Sequence, residues 1–237
     1  MKIRINLRFS AALVLLILCA VLFQNCEKGF DTKGISNTSL EVPIAVEEEP
    51  ASVKLLLGYS GTAISVNANS TAPLNYQWYK NNLVIAENNT SQIVVANADP
   101  SHSGVYKVVI TNSTGAIYQS ANVNLEVIDK TLVCPTTVAT PVISQPLLAT
   151  GVPLGFTNIA MSVYYQVDAN MTATWFKDLK EYKGIAGHTS LSIRNNNSAH
   201  IIVMNAALSD SGSYLVILNN HFGCTISENR LDVYTPL

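Results

Sequence analysis

Beyond residue 50 the chain alternates apolar and polar residues with a period of two. The stretches "AISVNA" (63–68), "NYQWYK" (75–80), "QIVVANA" (92–98), "VYKVVITN" (105–112) and "ANVNLEV" (121–127) are separated by Gly, Asn, Pro and Ser. That pattern puts successive side chains on opposite faces and predicts half-buried β-strands joined by turns. No stretch after residue 30 carries a helical period. Six or seven short strands in about 90 residues predict two packed sheets, so the expected fold class is all-β.

The pattern occurs twice. "QIVVANADPSHSGVYKVVITNSTGA" (92–116) and "HIIVMNAALSDSGSYLVILNNHFGC" (200–224) align without a gap at an offset of 108, so that Asn97, Ala98, Ser101, Ser103, Gly104 and Tyr106 recur as Asn205, Ala206, Ser209, Ser211, Gly212 and Tyr214. Upstream, "YQWYKNN" around Trp78 matches "ATWFKDL" around Trp175 at an offset of 97, which leaves an insertion within 178–200 of the second copy. A period of about 100 residues means tandem domains rather than a solenoid. The expected boundaries are a first domain at 51–129 and a second at 130–237.

A Trp on a central strand, followed some 25–35 residues later by S-G-x-Y-x-V, resembles the immunoglobulin fold. In that family the Trp packs in the core and the Tyr forms a hydrogen-bonded corner. The resemblance assigns the core role to Trp78 and Trp175, the corner to Tyr106 and Tyr214, and the remainder of the D-x-G-x-Y signature to Asp210 and Gly212. In the first copy His102 stands where the Asp belongs, so either Asp99 substitutes or the contact is missing. Where antibody domains carry an inter-sheet disulfide, this chain has Val66 with Val108 and Val163 with Val216, as bacterial immunoglobulin-like domains do. The same resemblance puts the starts of the first and last strands at one end of a sandwich. It therefore implies a Cys134–Cys224 bridge at the handover between domains, the alternative being two unpaired thiols.

The N-terminus reads differently. Lys2, Arg4 and Arg8 precede an apolar run from Ala11 to Phe23, too short for a relaxed span of about 20 residues but suited to a signal peptide. The run ends in "LFQNC", with Leu22 four residues before Cys26. It resembles a bacterial lipoprotein signal, in which that thiol is acylated and becomes the mature N-terminus. Phe23, Gln24 and Asn25 are bulkier than the usual residues at those places, and an uncleaved N-terminal anchor is the alternative. The resemblance implies a signal peptide at 1–25, lipidation of Cys26, and a membrane partner. Glu27, not the Asp that retains lipoproteins at the inner membrane, points to the outer membrane of a bacterial cell envelope. Residues 26–50, with Gly, Ser, Pro and the acidic run Glu47–Glu49, read as a flexible linker.

Composition narrows the function. Charged residues are 13% of the chain and the formal net charge is −2, which leaves no electrostatic footprint for nucleic acid. The four histidines have no metal-ligand spacing, no G-x-S-x-G occurs, and no cofactor is expected. His221 lies near Cys224, but a bridged cysteine is no nucleophile. His200 aligns with Gln92 and is expected at the surface. Asn-x-Ser/Thr triplets begin at Asn37, Asn69, Asn88, Asn89, Asn112, Asn170 and Asn196; in a bacterial lipoprotein they are turn residues. The 178–200 insertion, with Lys180, Tyr182, Lys183, His188 and Arg194, reads as two extra edge strands carrying solvated lysines, the alternative being a loop elaborated for binding. The expectation is a non-catalytic, lipid-anchored envelope protein that uses its modules for binding or adhesion to a protein or glycan. The alternative is a structural spacer in an envelope complex.

Overall fold

In the computed structural model, residues 41–237 are described except 87, 135–140, 167–169, 195–196, 221 and 237. The first repeat supplies β1 (Ala45–Glu48), β2 (Val53–Leu56), β3 (Gly61–Ser65), β4 (Asn67–Asn69), β5 (Leu74–Lys80), β6 (Leu83–Val84), β7 (Gln92–Val95), β8 (Gly104–Asn112), β9 (Ile117–Gln119) and β10 (Val123–Ile128). The second supplies β11 (Ile143–Gln145), β12 (Thr150–Pro153), β13 (Ile159–Tyr165), β14 (Thr172–Lys177), β15 (Lys180–Glu181), β16 (Thr189–Arg194), β17 (Ser198–Val203), β18 (Gly212–Asn220) and β19 (Gly223–Tyr234). In the first sandwich β3 and β7, beside the β1–β4 pair, face the β2-β10-β8-β5-β6 sheet; in the second, β11-β13-β17-β16 faces β12-β19-β18-β14-β15.

Each sandwich encloses its own core. Trp78, Val66, Val108 and Tyr106 belong to one apolar cluster, and Trp175, Val163, Val216 and Tyr214 to another. Trp78, Val108, Val163, Val216 and Tyr214 have no exposed surface. Branched aliphatics therefore occupy the positions of the missing inter-sheet bridges. The Tyr106 hydroxyl donates to the His102 carbonyl at 2.8 Å, and the Tyr214 hydroxyl to the Asp210 carbonyl at 2.8 Å. The repeat persists in the turns: Val105 N–H donates to Asn81 Oδ1 and Ser213 N–H to Asp178 Oδ1, both at 2.9 Å.

His102 resolves the missing aspartate in a way the sequence did not suggest. Asp210 Oδ2 accepts from the N–H of Ala207 at 2.7 Å, and in the first copy His102 Nδ1 accepts from the matching N–H of Asp99 at 3.2 Å. Asp99 does not substitute; it caps the short 3₁₀ turn, accepting from Ser101 N–H at 2.7 Å.

Three further expectations are corrected. The linker does not extend to residue 50: Val42 N–H donates to Thr114 Oγ1, its carbonyl accepts from Asn112 Nδ2, and β1 pairs with β4. Val42, Ile44 and Val46 do alternate, but Pro43 and the acidic run hide a short edge strand of the kind that tolerates both. The insertion adds one strand, β16, paired along its length with β17, rather than two, because the two-residue partner of the Trp strand already exists in the first copy as β6. His200 is buried, 8% exposed, with Nδ1 2.7 Å from Ser162 Oγ and Nε2 2.9 Å from Ser198 Oγ. The added β16 beside it, with Ser192 opposite His200, turns a surface position into an enclosed one.

Candidate binding site: a groove in the second sandwich and the joint beside it

Residues Val42–Leu237 form one compact unit, because the two sandwiches share a sheet. The turn after β14 carries β15 against the free edge of β2: Lys180 is in register with Leu55, and Leu56 N–H donates to the Leu179 carbonyl at 2.7 Å. Both lysines reach across, Lys180 leaving the solvent expected for it and Lys183 remaining exposed. Lys180 Nζ donates to the Thr62 carbonyl at 2.8 Å and Lys183 Nζ to the Ser52 carbonyl at 2.9 Å. Burial holds the Lys180 ammonium below its ordinary pKa. Lys54 N–H donates to Glu181 Oε2 at 3.2 Å.

An apolar cluster closes the joint. Leu56 and Ile128 of the first sandwich meet Phe176, Leu215, Ile217 and Cys224 of the second, with Cys134 and Ile226 packed around them. Buried side chains of this size contribute about 1.5–3 kcal/mol each, enough for the cluster to hold the sandwiches in one arrangement. Cys134 does not lie on the first strand of the second sandwich. It follows the single helical turn α1 (Lys130–Val133) and is bonded to Cys224, near the start of β19, with a Cα–Cα distance of 4.8 Å. The bridge thus pins the connecting segment onto the outer face of the second sandwich.

This joint was missed in the sequence, but it left a trace there. Trp175, Val216 and Leu218 face the core, whereas Phe176, Leu215 and Ile217, their immediate neighbours, face outward and are still buried. A strand covered on both faces reads as a continuous apolar run, and "SYLVIL" is one. The first copy has Lys107 and Val109 at the places of Leu215 and Ile217, and Tyr79 at that of Phe176. The comparison of copies marks the covered face.

Next to the joint, a cavity of about 370 Å³ opens between the β14–β15 edge and β16. Trp175, Tyr182, Leu191 and Ile193 line it, with Glu181 and Lys183 at the rim. Two smaller clefts, of about 290 and 260 Å³, run from the same Glu181 and Lys183 along β2. The Tyr182 hydroxyl donates to Thr189 Oγ1 at 3.0 Å, and its ring stands edge-on to Tyr214 with centroids 5.9 Å apart. Burial pushes the pKa values of both phenols up. Below the groove His188 Nε2 lies 2.9 Å from Asp210 Oδ2; Asp210 is 2% exposed, so the insertion supplies a partner for a buried carboxylate.

The remaining sequence candidates fall elsewhere. Cys26 and His221 lie outside the described residues, as do Asn37 and Asn196. Asn112 is buried, and its side chain organises the turn to Ala116 through Oδ1. Arg194 ends β16 and is exposed. Among the described residues no group of three or more His, Cys, Asp or Glu could hold a metal ion, and no helix is long and apolar enough to cross a membrane.

Residues 63–127 match the family described as "Immunoglobulin domain". Hemicentin-1 of Mus musculus is 24% identical over 203 residues, which cover 82% of this chain and 3% of that protein, so the chain spans a small fraction of its relative's length. Among solved structures, "Tandem Ig repeats of Dlar" is 18% identical, with 82% of this chain and 100% of that chain covered and a TM-score of 0.43. "I-band fragment I67-I69 from titin" is 22% identical, with 81% and 66% covered and a TM-score of 0.37. With the internal repeat extending the matched domain into the second half, the chain carries tandem immunoglobulin-like domains in an all-β fold.

Proposed function

We propose that this protein is a non-catalytic binding module of a bacterial cell envelope, lipid-anchored through Cys26, which presents its immunoglobulin-like domains to a protein or glycan for attachment. The observation that carries the proposal is the open groove beside the joint of the two sandwiches, where Trp175, Tyr182, Leu191 and Ile193 meet the charged Glu181 and Lys183. The charged n-region, the apolar run and Cys26 support the anchor. A mature lipoprotein carries more than one acyl chain, as stable anchoring requires. Glu27 favours the outer membrane.

The test is the intact, non-reduced mass of protein extracted from its native membrane, followed by capture of envelope components. A mass of residues 26–237 with a diacylglyceryl group, less two hydrogens, agrees with the anchor and the bridge together. A mass that keeps residues 1–25, or begins elsewhere without lipid, overturns the anchor. Retention of no envelope protein, glycan or cell surface overturns the binding reading.

The shared sheet favours a second reading, a spacer holding parts of an envelope complex at a set separation. Co-purification of one stoichiometric partner, with no affinity for other surfaces, selects it.

A further inference from the structure

The two repeats treat the same groove differently. In the first sandwich the chain fills it with its own segment after β6. Trp78 Nε1–H donates to the Thr90 carbonyl at 2.8 Å, Tyr76 N–H donates to Asn89 Oδ1 at 2.6 Å, and the Gln77 amide donates to the Ile85 carbonyl at 3.0 Å. The strand edge and the indole are thereby satisfied by an extended run of Asn and Thr.

The second sandwich starts the same way, with Tyr182 N–H donating to the Trp175 carbonyl at 2.8 Å as Ile85 does to Trp78 at 2.9 Å. The insertion then carries the chain away to build β16, and no filler follows. Trp175 is 4% exposed and lines the cavity, yet its indole N–H has no hydrogen-bond partner among the described residues. Nor is that N–H sealed off. Among the described residues Tyr165 Oη is the one fully enclosed side-chain polar atom without a partner, so Trp175 Nε1 opens onto the space that its ring lines. Ala173, the counterpart of Tyr76, likewise has no side-chain acceptor on its N–H among the described residues, and it too lines the groove.

We infer that the groove of the second sandwich is a binding site for an extended peptide segment of a partner protein, uncharged and rich in Asn and Thr, lying along β14 as residues 88–90 lie along β5. A backbone carbonyl of the peptide accepts from Trp175 Nε1–H, and an amide side chain or second carbonyl accepts from Ala173 N–H. A peptide carbonyl gives the Trp175 N–H the kind of acceptor that the Thr90 carbonyl gives Trp78. Strand addition of this kind takes its affinity from main-chain hydrogen bonds and its specificity from the pockets beside them. The inference rests on the reading of the chain as a binding module and names the partner of that site.

The probe is a synthetic peptide of residues 88–92 with blocked ends, uncharged and taken from the protein's own filler, added to the full chain in detergent with its two tryptophans labelled with nitrogen-15. The Trp175 indole resonance is expected to move downfield and saturate, while that of Trp78, already bonded, stays still. Ile193→Arg, at a position that lines the groove in register with core-facing Ala199 but is itself exposed, obstructs the groove and is expected to abolish the movement. A Trp175 signal that ignores the peptide, or moves equally in Ile193→Arg, overturns the inference. Envelope capture separates this from the broader reading. Equal capture by wild type and Ile193→Arg leaves a binding module whose site is elsewhere and overturns the groove. Peptide binding with no envelope capture by either upholds the groove and sinks the envelope-binding role.

Discussion

Removing the Cys134–Cys224 bridge tests whether one covalent clip supports the second sandwich and its joint. The two cysteines are 90 residues apart in sequence, so the bridge closes a loop spanning most of that domain. For a loop of this length the chain-entropy relation gives about 4.6 kcal/mol at 25 °C. That is a large share of the roughly 5–15 kcal/mol available to a small domain. Cys224 is also 4% exposed and packs with Leu215 and Ile217. Release of the connecting segment therefore uncovers apolar surface in addition to lengthening the free chain. For a domain of about 100 residues, 1 kcal/mol moves Tm by at least about 4 °C, so Cys134→Ser with Cys224→Ser is expected to lower the second sandwich's transition by roughly 20 °C. The assay is thermal and guanidinium unfolding of the variant against the oxidised wild type, with reductant on the wild type as an independent route to the same state. The first sandwich, whose core is separate, is expected to change only through the joint. A double variant melting within about 1 kcal/mol of the wild type would refute the reasoning, since the closed loop would then not limit the unfolded chain.

Other consequences follow from the same geometry. Phe176→Ala empties the centre of the joint and is expected to cost about 3–5 kcal/mol, with melting of the two sandwiches separating in calorimetry; a single unchanged transition would contradict the joint. His188→Ala removes the imidazole contact of the buried Asp210 side chain and is expected to cost about 1.5–3 kcal/mol by chemical denaturation, against near-neutrality if the contact were ornamental. Leu179 sits at φ 69° in the turn where the first copy has Asn82 at φ 65°. Leu179→Asn retains the carbonyl that accepts from Leu56 and relieves a conformation unfavourable for a bulky residue, so a gain of about 1 kcal/mol in Tm-derived stability is expected. Burial, and then the Arg194 charge, hold the His200 pKa below its ordinary value of 6.5. The unfolded chain therefore binds that proton first, and stability falls as pH drops below about 6.5 toward the folded value. His200→Gln should flatten that part of the profile, and an unaltered pH dependence of the denaturation midpoint would show the histidine to be unperturbed.

The period-two alternation was enough to determine the all-β class, and the recurrence of Trp78 and Tyr106 as Trp175 and Tyr214 to determine two sandwiches. Both are local or repeated patterns: strand faces follow from side-chain alternation, and the corner tyrosine bonds a carbonyl only four residues away. The substitute for the missing aspartate, by contrast, depended on a ring nitrogen reaching a backbone N–H, which no residue-type rule for that position supplies. His200 looked like a surface residue because the strand that covers it comes from an insertion with no counterpart in the first copy. Only the tertiary structure decided where the sandwiches meet and which groove is left open. Those outcomes depend on the edge of β2 meeting β15, on apolar residues facing outward until another domain covers them, and on an insertion drawing the chain away from Trp175. Such contacts join residues more than 100 positions apart, where periodicity along the chain has nothing to say.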